Sequence, residues 1–146
     1  MALVLNYLNT GAIFLLTIQL KSCILTLGEI ERRRMFLHTY KTSSGRDLIM
    51  EYIDSLTEPE RVDAFFILEC MENGELDKIE FKRWEKKVYE VYFRKHNRIF
   101  YVAADEQNIY LLHACRKQKN QTEKTDKKIV IKRAKELGRM LGKTFI

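Results

Sequence analysis

The chain has 146 residues, enough for one domain of ordinary size and too few for two independent cores. Apolar residues make up 46% and charged residues 32%, with a single proline and six glycines, which excludes a disordered chain, a collagen-like segment and a proline-rich linker. The net charge of +6 favours acidic partners, nucleic acid before acidic protein.

Residues 3–27 form an apolar stretch long enough to cross a bilayer. Asn6, Asn9, Gln19 and Lys21 interrupt it, and the absence of Lys or Arg between Met1 and Asn9 argues against a secretory signal. If it did insert, Arg32–Arg34 would hold the domain after it in the cytoplasm. Glu31-Arg32-Arg33-Arg34 can be encoded by a purine-rich stretch of the kind that precedes a start codon, and Met35 comes directly after it. Residues 1–34 are therefore read as an apolar extension ahead of a start at Met35, the alternatives being a membrane-associated helix or a helix packed on the domain. Residues 35–146 are read as the domain. Cys23, Cys70 and Cys115 are odd in number and far apart, with neither a disulfide framework nor zinc-ligand spacing. They read as small apolar side chains of a cytoplasmic protein.

Within the domain, residues 36–41 suit a short first strand. Ser44 is the expected start of a helix in which Leu48, Ile49, Tyr52, Ile53 and Leu56 repeat at helical spacing. Thr57-Glu58-Pro59-Glu60 ends it and starts another: Thr57 caps, Glu60 answers as in a capping box, and Pro59 sits in the first turn. Val62, Phe65, Phe66 and Cys70 are its expected apolar stripe, and Asn73-Gly74 its end. From Val88 the period changes to two. Tyr89, Val91 and Phe93 alternate with Glu90, Tyr92 and Arg94. Lys95-His96-Asn97 reads as a turn, Arg98 to Ala104 as a strand, Asp105 to Asn108 as a turn and Ile109 to Cys115 as a third strand. A helix is expected from about Thr125 to Met140. Trp84, ahead of these strands, reads as an anchor against a helix. The expected architecture is α+β: a short N-terminal strand, a helical hairpin, a three-stranded antiparallel meander and a C-terminal helix, with the helices on one side of the sheet.

That order resembles the RelE/ParE toxin superfamily, in particular its phage-derived, HigB-like branch. Val88-Tyr89-Glu90-Val91-Tyr92 resembles the family's "lyELR" strand. Asn97-Arg98-Ile99-Phe100-Tyr101 is similar to its "yRilY", and Leu111 to Thr122 to its "LLHgFrKKtqkT". There are departures: Tyr92 stands where the family has an arginine, Cys115 where it has an aromatic, and Glu123 where it has a proline. Arg94, expected on the strand face of Tyr92, is placed to replace part of the lost charge.

The resemblance implies a type II toxin, a metal-independent endoribonuclease that cleaves mRNA on the ribosome and is neutralised by a helix-turn-helix antitoxin. The superfamily also holds gyrase-poisoning toxins without nuclease activity, and an inactive RNA- or protein-binding module is a third reading; the fold alone does not separate them. RNA cleavage by the 2′-hydroxyl needs proton removal, phosphorane stabilisation and protonation of the leaving oxygen. It requires no metal, in keeping with the lack of a metal-ligand pattern, and no cofactor is expected. Arg98 is the leading candidate, since a guanidinium presents paired donors to phosphate. Lys117 and Arg116 are candidates for the scissile phosphate or for proton transfer, Tyr92 for base stacking or a phosphate hydrogen bond, and His113 for a proton shuttle, although its strand is apolar enough to bury it. Arg94, Lys95 and Lys119 are the expected RNA-binding residues. Tyr89, Phe93, Phe100 and Tyr101 interleave with basic residues as stacking platforms do, or as core aromatics do.

Overall fold

The computed structural model describes residues 34–117 and 124–146. The extension at residues 1–33 lies outside them, as do Lys119, Thr122 and Glu123.

Strand β1 (Phe36–Thr39) leads through a turn into helix α1 (Leu48–Asp54). The helix begins at Leu48 and not at Ser44, because Asp47 is its cap. One Asp47 carboxylate oxygen accepts from the backbone N–H groups of Ile49 and Met50 at 3.1 and 3.0 Å, and the other accepts from the Thr39 hydroxyl. Ser44 stays in the preceding turn, bonded to Thr42. Helix α2 (Glu58–Glu72) starts on the expected capping box, with the Thr57 N–H and hydroxyl 3.2 and 2.9 Å from the Glu60 carboxylate. Its buried stripe is Ala64, Ile67, Cys70 and Met71, whereas Val62, Phe65 and Phe66 face outward. The buried stripe is therefore rotated from its expected position, with Cys70 the residue common to both.

After a 3₁₀ turn at Leu76–Lys78 come strands β2 (Phe81–Glu85), β3 (Val88–Phe93), β4 (Asn97–Ala103) and β5 (Asn108–Arg116), then helix α3 (Lys124–Leu141). The fold is α+β, but two parts of the expected architecture are corrected. The sheet has five strands in the order β1-β5-β4-β3-β2, and it is mixed: β1 pairs parallel with β5 while the other pairs are antiparallel. β2 is the strand the meander lacked, and Trp84 lies within it, its ring edge-on to Phe100 at 5.2 Å. The helices also cover both faces. Ile49, Ile53, Ala64 and Ile67 of α1 and α2 pack with Val91, Ile99, Tyr101 and Leu111. Val130, Ala134 and Leu137 of α3 pack with Val88, Phe100, Val102 and Leu112. The alternation of Ile99, Phe100, Tyr101 and Val102 between these clusters is the two-residue period of β4.

The β3–β4 turn is Arg94-Lys95-His96 and not Lys95 to Asn97, since Asn97 already pairs with Phe93. Arg94 and Lys95 both adopt positive φ, 48° and 62°, the left-handed geometry that closes tight hairpins.

A bulge in β5 decides what reaches the α3 face. Phe100 pairs with His113 but Tyr101 pairs with Leu111, so Leu112 is extra. Unbroken alternation from Ile109 and Leu111 would have sent His113, Cys115 and Lys117 to the α1–α2 face. The added residue turns Cys115 onto the α3 side and leaves Ala114 packed on the other cluster.

Candidate nucleic-acid interface

Toward the β3–β4 turn, the α3 face of the sheet changes from apolar to charged. Lys82 pairs with Glu90, which continues across the sheet to Phe100 and His113, and in the next row Tyr92 pairs with Arg98 and Arg98 with Cys115, so neighbouring strands present these side chains as one patch in two adjacent rows. Arg98, with its side chain 13% exposed, lies on the Tyr92 ring at 4.9 Å, and Lys82 Nζ approaches the same ring at 6.0 Å. Tyr92, which stands where the resembling sequences carry an arginine, thus lies against another arginine.

Beneath them Glu90 is fully buried. Lys82 Nζ lies 3.0 Å and Arg98 Nε 3.9 Å from Glu90 Oε1, yet neither carboxylate oxygen accepts a well-directed hydrogen bond among the described residues, and Arg98 Nε is likewise unmatched. Desolvating a carboxylate at this depth costs several kcal/mol, which undirected ion pairs offset poorly. Lys117 comes directly after β5 and is buried at 8% exposure, its backbone N–H bonded to the His96 carbonyl at 2.6 Å. Burial lowers its amine below the ordinary lysine range; Glu90 opposes this, and Arg98 and Lys82 add to it. Arg98, Tyr92 and Lys117 therefore come together, joined by two residues that sequence reasoning passed over, Lys82 and Glu90.

The other expected residues are placed elsewhere. Arg116 points to the opposite face, where Glu60 accepts from it at 2.6 Å. Arg94 does not share the Tyr92 face: it is the first residue of the turn and pairs with Asp63 of α2. Lys95 is exposed at the tip of that turn. His113 lies in the row of Lys82 and Glu90, on the far side of Phe100, its Nε2 2.7 Å from Asp126 Oδ1 at the start of α3 and its Nδ1 3.3 Å from Arg133 Nη1. Burial lowers its pKa, and Asp126 works against that shift. Burial pushes the Cys115 thiol up to about 12, Asp126 and Glu90 acting in the same direction. Phe93, Phe100 and Tyr101 are core residues, and Tyr89 stacks on Tyr101 at 5.7 Å.

The network on the opposite face carries a pH signature. Asn97 donates to Glu60 at 3.2 Å, and the Tyr52 hydroxyl donates to Asn97 at 2.6 Å. Hydrogen bonds from Asn97, then Thr57, with Arg116 adding its charge, hold the Glu60 carboxyl down at about 2. A carboxyl lowered on folding stabilises the protein above its unfolded pKa, and that contribution disappears as pH falls toward the folded value. Urea midpoints should therefore drop more steeply for the wild type than for Glu60→Gln between the ordinary carboxylate range and about pH 2. Parallel acid limbs would rule out the network as their source.

Among the described residues no helix is long and apolar enough to cross a membrane. No curated protein matches the chain. The family model described as phage derived protein Gp49-like (DUF891) matches residues 51–135, from within α1 to within α3, and so takes in the whole charged row. With more than half of its length matched, the chain belongs to the Gp49-like family of phage-derived proteins, a RelE-toxin-like family of the toxin–antitoxin context.

Proposed function

We propose that residues 35–146 are the toxin of a type II toxin–antitoxin system, an endoribonuclease that cleaves mRNA on the ribosome through the RNA's own 2′-hydroxyl. The observation that supports this best is the gathering of Lys82, Arg98 and Lys117 over buried Glu90, with Tyr92 alongside. A carboxylate kept buried beneath cations without directed hydrogen bonds is a poor device for stability and a good one for chemistry.

We assign the roles from position. Lys82 is the exposed member, and its transfer from the carboxylate to an RNA phosphate uncovers Glu90. Glu90 then takes the proton of the 2′-hydroxyl as the new O–P bond forms. Arg98, held against Tyr92, receives the charge that builds on the non-bridging oxygens. Lys117 gives its proton to the 5′-oxygen as that bond breaks, leaving a cyclic phosphate and a free 5′-hydroxyl. Tyr92 offers its ring to a base where Arg98 leaves it free. No step needs a metal. The basic balance of the chain and the resemblance to HigB-like toxins point the same way; a cytoplasmic setting and a helix-turn-helix antitoxin as partner are part of the proposal.

The test is tightly controlled expression with transcript ends mapped across the genome. Growth arrest with new 5′ ends at ribosome-bound codons, relieved by the neighbouring gene, is the expected result. Arrest with DNA damage and intact transcripts would replace this reading with gyrase poisoning.

A further inference from the structure

We infer that His113, Cys115 and Asp126 form a binding site for one divalent cation of the zinc class. Nothing in the proposed cleavage chemistry uses these three residues, and the inference stands apart from it. His113 and Cys115 lie two apart on β5 and so share a face, which the bulge turns toward α3, and Asp126 belongs to the first turn of α3. One ligand atom from each, an imidazole nitrogen, a thiol sulfur and a carboxylate oxygen, all lie within 4.8 Å of one another. All three residues are of intermediate burial, with the His113 and Asp126 side chains 13% and 20% exposed.

Nitrogen, sulfur and oxygen donors in this number are the ligand set of zinc sites that keep a fourth position for water. The donors come from a strand and from the helix after it, so sequence spacing does not reveal them. Cys115 is also the residue that stands where the resembling family carries an aromatic, and without its sulfur only a histidine–aspartate hydrogen bond remains.

The charges and protons balance. A thiolate and a carboxylate neutralise the two charges of the ion, and the thiol proton leaves to solvent. The ion takes the place of the proton now shared by His113 Nε2 and Asp126 Oδ1 at 2.7 Å; that proton moves to Nδ1, so the imidazole stays neutral. Arg133 then gives up its 3.3 Å approach to Nδ1 and keeps the Leu112 carbonyl, to which it already donates at 2.8 Å. The bound ion ties the last strand to the first turn of α3.

Full-length protein, stripped by a chelator, is titrated with Co²⁺ and then Zn²⁺. An equimolar end point is expected, with a sulfur-to-cobalt charge-transfer band and tetrahedral ligand-field bands that Zn²⁺ removes. Cys115→Ser should lose the charge-transfer band, Asp126→Asn and His113→Gln should bind at least about tenfold more weakly, and Cys70→Ser should behave as wild type. Zn²⁺ should also slow alkylation of Cys115 in the unaltered protein, read peptide by peptide, which needs no variant to fold. Folded wild-type protein without the bands, bands that persist in Cys115→Ser, or alkylation of Cys115 indifferent to Zn²⁺ would each overturn the site. RNA cleavage plays no part in these measurements, so the site and the nuclease reading stand or fall separately.

Discussion

Arg98→Ala should slow RNA cleavage by about 10²–10³-fold, the usual loss when one donor to a developing oxyanion is removed, while the protein still folds. The side chain's tie to a buried charge is its 3.9 Å ion pair with Glu90, which Lys82 still meets at 3.0 Å when Arg98 is removed. Among the described residues its Nε has no hydrogen-bond partner, one terminal nitrogen bonds the neighbouring Asn97 carbonyl at 3.2 Å, and its guanidinium lies on the Tyr92 ring. Binding should weaken too, and the slope of log affinity against log salt should flatten by about 0.7, one phosphate contact on single-stranded RNA. A variant that cuts at the wild-type rate while keeping its thermal midpoint would remove Arg98 from the site.

Glu90→Gln should behave differently. Loss of a general base lowers the rate by about 10²–10⁴-fold, but RNA binding should strengthen, because a negative charge leaves the row of cations that meets the phosphate. Stability should change little. The amide keeps the shape of the side chain and escapes the desolvation cost of the carboxylate, although Lys82 and Arg98 lose their counter-charge. Glu90→Asp should recover part of the rate. The opposite signs on affinity for Arg98→Ala and Glu90→Gln, measured on one non-cleavable RNA, separate a phosphate-binding residue from a base. Weaker RNA binding by Glu90→Gln together with a large fall in thermal midpoint would mark Glu90 as a structural counter-ion instead.

Local rules made some of this legible in advance. Thr57-Glu58-Pro59-Glu60 is a helix start that tertiary context had no reason to override, and it forms as written. The alternation from Val88 to Phe93 is a strand for the same reason. β2 escaped notice because it is an edge strand with exposed Phe81, Lys82 and Arg83, and a register shift between Arg83 and Glu85 breaks its period at Trp84. Lys82 was hidden with it. Glu90 was visible as a polar residue on the Tyr92 face, but only the sheet shows that this face is covered there. Arg116 and Lys117 look alike in a basic run; as neighbours they face opposite sides, and one added residue at Leu112 decides which of them meets the α3 face, which no local pattern announces. Asp126 had no signal at all, since its meaning depends on where α3 returns to the sheet.

The parallel pairing of β1 with β5 has a consequence for how the domain assembles. Phe36 meets Asn108, and Met35 and Phe36 donate to the Glu72 and Gln107 carbonyls, so the first strand closes on partners across most of the domain's length. The β2–β5 meander is built from neighbours joined by short turns and encounters no such delay. Loop-closure entropy therefore assigns β1 to the end of folding, when β5 already offers a finished edge. A chain leaving a ribosome makes its first strand early and leaves it unpaired until nearly everything else has been synthesised.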